Sequence, residues 1–120
     1  MFESEFCKVE YLEQYNAVFC QWKKACRAHD YRQVFKFGLD LINEKNVRVW
    51  ITDTTNGFEN ELEDTQWLLE NFIPQTINST CTSIVFIIKD DSPLKTEITE
   101  QEKVLSQYFD VIQIENMGLI

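Results

Sequence analysis

The stretch VRVWITDTTNGFENELEDTQWLLENFI, residues 47–73, decides the fold. It opens with a β-branched run, Val47, Val49 and Ile51, that ends at Asp53, turns through Thr54, Thr55, Asn56 and Gly57, and passes into a helical pattern carrying Trp67. Strand, polar turn and helix in that order make a β-α unit, and open α/β sheets bind ligands outside the carboxyl ends of their strands. The turn after Asp53 is therefore the first place to expect a site. Asn60 with Glu63 has capping-box spacing for the start of the helix, Leu62, Leu69, Phe72 and Ile73 supply apolar positions, and Pro74 predicts its stop.

Towards the amino terminus, residues 5–12 alternate, with Cys7, Val9 and Tyr11 on one face and Lys8 and Glu10 on the other. Val18, Cys20 and Trp22 repeat the pattern in residues 17–22, and Glu13, Gln14, Tyr15 and Asn16 connect the two runs as a hairpin. Asp30 with Gln33 then predicts a capped helix over about 30–45. Its apolar stripe is Tyr31, Val34, Phe35, Gly38, Leu41 and Ile42, and Arg32, Lys36, Asp40 and Asn43 take the outer face. A glycine costs ~1 kcal/mol relative to alanine inside a helix, so Gly38 on that stripe predicts a close approach of helix to sheet.

Towards the carboxyl terminus, SIVFII (83–88) is apolar throughout, as a central strand covered on both faces would be, and Lys89, Asp90, Asp91, Ser92 and Pro93 end it. Thr99 with Glu102 predicts a further capped helix with Val104, Leu105, Tyr108 and Phe109 on one face, followed by a strand, VIQI, at 111–114. The element order is ββαβαβαβ. Strands joined by helices must run parallel through right-handed crossovers, so the expected fold is α/β: a largely parallel mixed sheet with an amino-terminal antiparallel hairpin.

The 120 residues fit a single domain spanning 1–120, and 44% hydrophobic content with nine Phe and three Trp describes a packed core. No apolar run approaches the ~20 residues of a membrane span, and the acidic start MFESEFCKVEY does not resemble a secretory signal, so a soluble, cytoplasmic protein is expected. Cys7, Cys20, Cys26 and Cys81 show no C-x-x-C spacing and read as reduced, buried thiols, with Cys7 and Cys20 facing each other across the hairpin. The net charge of −9 repels phosphate backbones and argues against nucleic acid as a partner. Five basic residues nevertheless crowd into fourteen positions: Lys23, Lys24, Arg27, Arg32 and Lys36 form a candidate anion patch beside a helix amino terminus.

The order of elements resembles the SpoIIAA-like fold of STAS domains, which CRAL-TRIO lipid carriers share. In its residues the chain is most similar to small uncharacterised bacterial STAS-related proteins: Trp22 ends the second strand, Tyr31 opens the first helix, Asp53 ends the third strand and Trp67 lies in the helix that closes near Pro74. In anti-sigma antagonists of this family an Asp-Ser-Ser/Thr-Gly motif carries the phosphorylated serine. The nearest segment here is Glu63-Asp64-Thr65-Gln66, so the resemblance implies Thr65 as the phosphorylation candidate, without the motif's glycine.

No G-x-S-x-G elbow or glycine-rich phosphate loop is present in the sequence, and the one imidazole, His29, has only Cys26 nearby as a thiolate partner. The leading reading is accordingly a non-enzymatic domain, without cofactor or bound metal. It would recognise a protein partner or small ligand at a crevice built from Asp53, Thr54, Thr55, Phe58, Trp67, Trp22 and Tyr31. One alternative is a divalent-metal-dependent phosphotransferase or hydrolase using Asp53 with Asp90 or Asp91. Another is an apolar-ligand (lipid) carrier whose pocket is lined by Trp22, Tyr31, Phe35, Phe37, Phe58 and Trp67. A homodimer formed through the first strand or through Phe37 and Phe58 is also expected.

Overall fold

The computed structural model describes residues 1–119. It is an α/β domain on a six-stranded mixed sheet whose spatial order follows the chain. A two-residue edge strand, β1 (Phe2–Glu3), pairs antiparallel with β2 (Cys7–Leu12), and β2 pairs antiparallel with β3 (Ala17–Trp22). From β3 onward all neighbours are parallel: β4 (Val49–Asp53), β5 (Ser83–Ile87) and β6 (Asp110–Ile114). The connections are α1 (Ala28–Lys45), a helical run made of α2 (Leu62–Trp67), a π-helical turn (Leu68–Phe72) and α3 (Ile73–Ile77), and α4 (Lys95–Leu105).

Parallel strands added one after another in the same direction, with crossovers of one hand, put every helix on the same face of the sheet. The packing has that form. The main core joins Val9, Cys20, Trp50 and Phe86 of the sheet to Val34 and Ile42 of α1, Phe72 and Ile73 of the second helical run, and Ile98 and Leu105 of α4. The opposite face carries its own small cluster, Ala17, Ile51, Val85 and Ile87, flanked by Tyr15, Phe19, Val49, Ile114 and Met117. The apolar run of β5 is therefore buried on both faces, but on one of them by neighbouring strand side chains and the chain's last turn instead of by helices.

Three expected helix starts are not used. Helix α1 begins at Ala28, and Asp30 lies exposed in its first turn; both carboxylate oxygens of Asp64, from α2, accept the Ala28 N–H at 3.1 Å. A cap from a distant element has displaced the local one. Ala28 itself takes a left-handed φ of 53°, a conformation that disfavours any side chain, and the Asp64 contact holds it there. Asn60 does not cap α2, because its side-chain amide donates to the Tyr31 hydroxyl at 3.0 Å. Thr99 and Glu102 fall inside α4, where both accept from Gln113 of β6 at 3.4 Å.

Pro74 does not stop the second helical run. The widened turn at 68–72 precedes it, so the proline stands at the start of α3, where a missing N–H costs least, and the helix continues to Ile77. Leu62, Leu69, Val104 and Tyr108, expected in the core, are exposed, while Leu105 and Phe109 are buried as expected and Ile98 joins them. Phe37 is also not free: it packs on Phe2 with ring centroids 5.5 Å apart.

Gly38 is the predicted close approach. A Cβ there would collide with the six-membered ring of Trp50, whose indole N–H donates to the Thr52 hydroxyl at 2.7 Å.

All four cysteines are buried and unpaired. Cys7 and Cys20 are diagonal, not directly opposite: Cys7 lies across from Trp22 and Cys20 from Val9, and the two sulfurs still meet at 3.5 Å. Burial pushes Cys20 well above the ordinary thiol range, Cys26 up to about 12 and Cys81 up to about 11. The Cys26 thiolate imagined beside the exposed His29 is thus disfavoured where it would be needed. Titration with a thiol reagent is expected to modify none of the four in the native protein within minutes and all four in urea. Rapid labelling of Cys26 without denaturant would contradict the burial argument.

Candidate functional site

The carboxyl ends of β3, β4 and β5 enclose an apolar chamber on the helix-covered face. Trp22 ends β3 and stacks on Tyr31 of α1, with centroids 5.7 Å apart and planes within 9°. Phe58, from the loop after β4, closes edge-on against Trp22 at 5.1 Å. Deeper in, Trp50 of β4 stacks on Phe35 at 5.7 Å, and Phe72 meets both rings edge-on at about 5 Å. These aromatics line a cavity of about 80 Å³ together with Leu94, Glu97 and Gln101. Aromatic pairs in such offset and edge-on geometries contribute ~0.5–1.5 kcal/mol each beyond their area, so the walls hold one another in place.

The loop above the chamber is fixed from several sides. Thr54 donates from both its backbone N–H (3.0 Å) and its hydroxyl (2.7 Å) to the carbonyl of Ile87, tying the loop to β5. The Asp53 carboxylate accepts from the backbone N–H and hydroxyl of Thr55, at 2.9 and 2.6 Å, so it closes a local turn. Burial holds the Tyr31 hydroxyl protonated well above the ordinary phenol range. Glu97 is the only charged side chain in the chamber wall, and burial raises its carboxyl pKa against an opposing pull from the Asn60 backbone N–H, with a smaller push from the charge of Glu59.

A raised carboxyl pKa in the folded state penalises the ionised form. Glu97 therefore works against the fold above its raised value, and that cost disappears as the pH falls into the ordinary carboxylate range. The variant Glu97→Gln is expected to melt slightly higher than the parent at pH 7 and at the same temperature below pH ~4, where the carboxyl is protonated in both states. A constant difference across that range, followed by calorimetry, would assign the effect to packing.

The structure brings Trp22, Tyr31, Thr54 and Phe58 to the chamber, and leaves Asp53, Thr55 and Trp67 outside its wall. Trp67 is half-buried on the side of the helical run that meets α1, under the Arg32 guanidinium at 5.7 Å, and lines a separate groove with Lys36 and Gln75. Trp50, Phe72, Glu97 and Gln101 were not singled out as site residues from the sequence. Glu97 and Gln101 stand four apart on α4, a spacing that marks one helix face, but the sequence alone does not say what that face meets.

Asp90 and Asp91 are exposed after β5, beside Glu115 and Asn116, and Asp90 pairs with Lys95 at 3.5 Å. Among the described residues no group of three His, Cys, Asp or Glu side chains is placed to hold a metal ion. The basic cluster is largely engaged: Lys23 pairs with Glu3 and Lys24 with Glu5, both at 2.7 Å, and Arg32 approaches Asp64 at 3.7 Å. Its expected anion-binding helix terminus is already occupied by the Asp64 carboxylate.

A second, more open groove of about 250 Å³ runs between the π-helical turn and α4, lined by Thr65, Leu69 and Val104. Leu68, Ile73, Glu97, Gln101 and Leu105 line both the groove and the chamber. Thr65 thus sits in the groove wall near the start of α2. No helix among the described residues is long and apolar enough to cross a membrane. No protein-family model, curated protein or solved structure matches the chain.

Proposed function

We propose that this chain is a STAS-like, non-enzymatic binding domain that takes a small, mainly apolar ligand in the aromatic chamber. The observation that carries this reading is the chamber itself: space enclosed by Trp22, Tyr31, Phe35, Trp50, Phe58 and Phe72 at the strand ends where α/β sheets bind ligands. The STAS-like assignment draws support from the antiparallel hairpin followed by β-α units that step one way across the sheet.

Trp22 and Trp50 line the chamber, so occupancy is readable as tryptophan fluorescence. Titration with 1-hexanol or 1-butanol is expected to change that emission saturably and to raise the melting temperature. Ile84→Phe, which adds bulk to the chamber wall, should abolish both responses while the variant still unfolds cooperatively. A response retained in Ile84→Phe would place the ligand elsewhere, and no response from either probe in the parent protein would remove the reading.

A further inference from the structure

The groove between the π-helical turn and α4 gathers the exposed apolar side chains of this fold. Apart from Met1, Ile112 and Leu119, every exposed large hydrophobic among the described residues stands on or beside its two walls: Leu62, Leu69 and Ile77 on the second helical run, Val104 on α4 and Tyr108 in the turn after it. Leu69 and Val104 line the groove directly, and each is more than two-fifths exposed. Leu62 stands one turn before Thr65 of the groove wall and Ile77 one turn after Ile73, so helical spacing extends the apolar strip at both ends. A contiguous strip of this kind marks a binding surface, whereas hydrophobics scattered singly do not. The wall also contains the π-helical turn, an irregularity frequent at functional sites. Side chains shared with the chamber divide the two spaces, so the groove can be filled whether or not the chamber holds a ligand.

The charges around the strip have one sign. Glu97 and Glu100 line the groove, and no Lys, Arg or His does. Between Arg48 and Lys89 the sequence contains no basic residue, while Glu59, Glu61, Glu63 and Glu70 lead into or lie on the second helical run. The lysines of α4 are engaged, Lys95 with Asp90 at 3.5 Å and Lys103 with Glu100 at 3.2 Å. Exposed pairs are weak enough for an incoming cation to replace Lys103. An anionic membrane or a nucleic acid is repelled by such a rim, and an apolar surface that carries cations is drawn to it.

Shape selects the form of that partner. The groove is walled by two helices and presents no strand edge, so it takes up side chains and not a β-strand. At about 1.5 Å per residue the run from Leu62 to Ile77 is ~24 Å long and α4 is ~16 Å, enough to seat about three turns of a helix. We propose that this groove docks a basic amphipathic helix of another protein, with its apolar stripe on Leu69 and Val104 and its Lys or Arg side chains over Glu97 and Glu100.

The test titrates the whole domain by calorimetry with three synthetic peptides of about 15 residues, a length matched to the groove. One is a Leu/Lys helix with its leucines on a single face, one a Leu/Glu helix with the same stripe, and one a scrambled peptide of the Leu/Lys composition. The Leu/Lys helix is expected to bind roughly tenfold more tightly than either control. Leu69→Ser and Val104→Ser should each weaken it by about fivefold, and Glu100→Lys by a similar factor while improving the Leu/Glu helix. All three positions are exposed, so urea midpoints should stay close to the parent's. Ile112→Ser, which removes an exposed hydrophobe from β6, should leave binding within about twofold. The proposal is overturned if the Leu/Lys helix does not bind or if either control binds as well. It is equally overturned if the Leu69 and Val104 variants bind like the parent or Ile112→Ser weakens binding as much as they do. A concentration-dependent doubling of mass that Leu69→Ser abolishes would give the groove to a second copy of the chain. Partition onto phosphatidylcholine vesicles that the same variant abolishes would give it to a membrane, and either result also overturns the proposal.

Discussion

Gly38→Ala is expected to destabilise the domain by about 2 kcal/mol, the middle of the range for forcing extra volume into a packed core. In an open helix the same change would be favourable by ~1 kcal/mol, because alanine loses less backbone entropy than glycine. Here the new methyl group would fall on Trp50, and that ring is held from several sides. It is stacked on Phe35, wedged edge-on by Phe72 and tethered through its N–H to Thr52. The helix must lift or the indole must leave its rotamer, and both choices disturb the chamber that Trp50 lines. Urea denaturation should show a lower midpoint with an unchanged slope, and the variant should lose the fluorescence response to 1-hexanol along with stability. A variant as stable as the parent would mean that α1 can shift away from the sheet at little cost.

Asp64→Ala is expected to cost about 3 kcal/mol, within the range for breaking one side of a buried ion pair. The carboxylate is almost fully buried and serves two partners, the Ala28 N–H and Arg32, whose Nε makes no hydrogen bond of its own. Removing it strands both donors, and it also releases the left-handed turn at Ala28, which no local interaction favours. Asp64→Asn retains an acceptor for the amide and should fall between the two. Because the Arg32 side chain is about one-third exposed, Arg32→Ala should cost much less than Asp64→Ala, and the double variant little more than Asp64→Ala alone. Additive losses in that cycle would show that the two side chains act separately.

These two residues mark the boundary of what the chain could reveal when read linearly. Gly38 was legible because its meaning is local: a glycine in the middle of an apolar stripe at helical spacing implies a neighbour too close for a side chain. Asp64 was not, since nothing near it in sequence indicates that it caps a helix starting 36 residues earlier. The same reason explains Asp30, Asn60 and Thr99. Each has a partner at capping distance in sequence, yet the orphan amides and the polar side chains of a folded domain bond to whatever lies nearest in space. Pro74 misled in a related way, for its effect depends on the π-helical turn in front of it.

Among the site residues, Trp22 and Tyr31 were readable as inward-facing positions of a strand and a helix, and Phe58 as an aromatic in a turn. Asp53 drew attention by its place at a strand end, but its carboxylate is consumed by the turn it closes.

By itself the sequence determined the element order from β2 onward, the antiparallel hairpin followed by parallel units, the inward stripes of β2, β3 and α1, and the tight contact at Gly38, because alternation, helical spacing and glycine's missing side chain act over a few residues; the short edge strand β1 left no such pattern. Only the tertiary structure decided that all helices share one face, that Asp64 holds the start of α1, and that Glu97 is the one charge among the chamber's aromatics. Those facts join residues far apart in the chain, and they are set by strand register and crossover hand, which bring distant side chains together without leaving a local pattern.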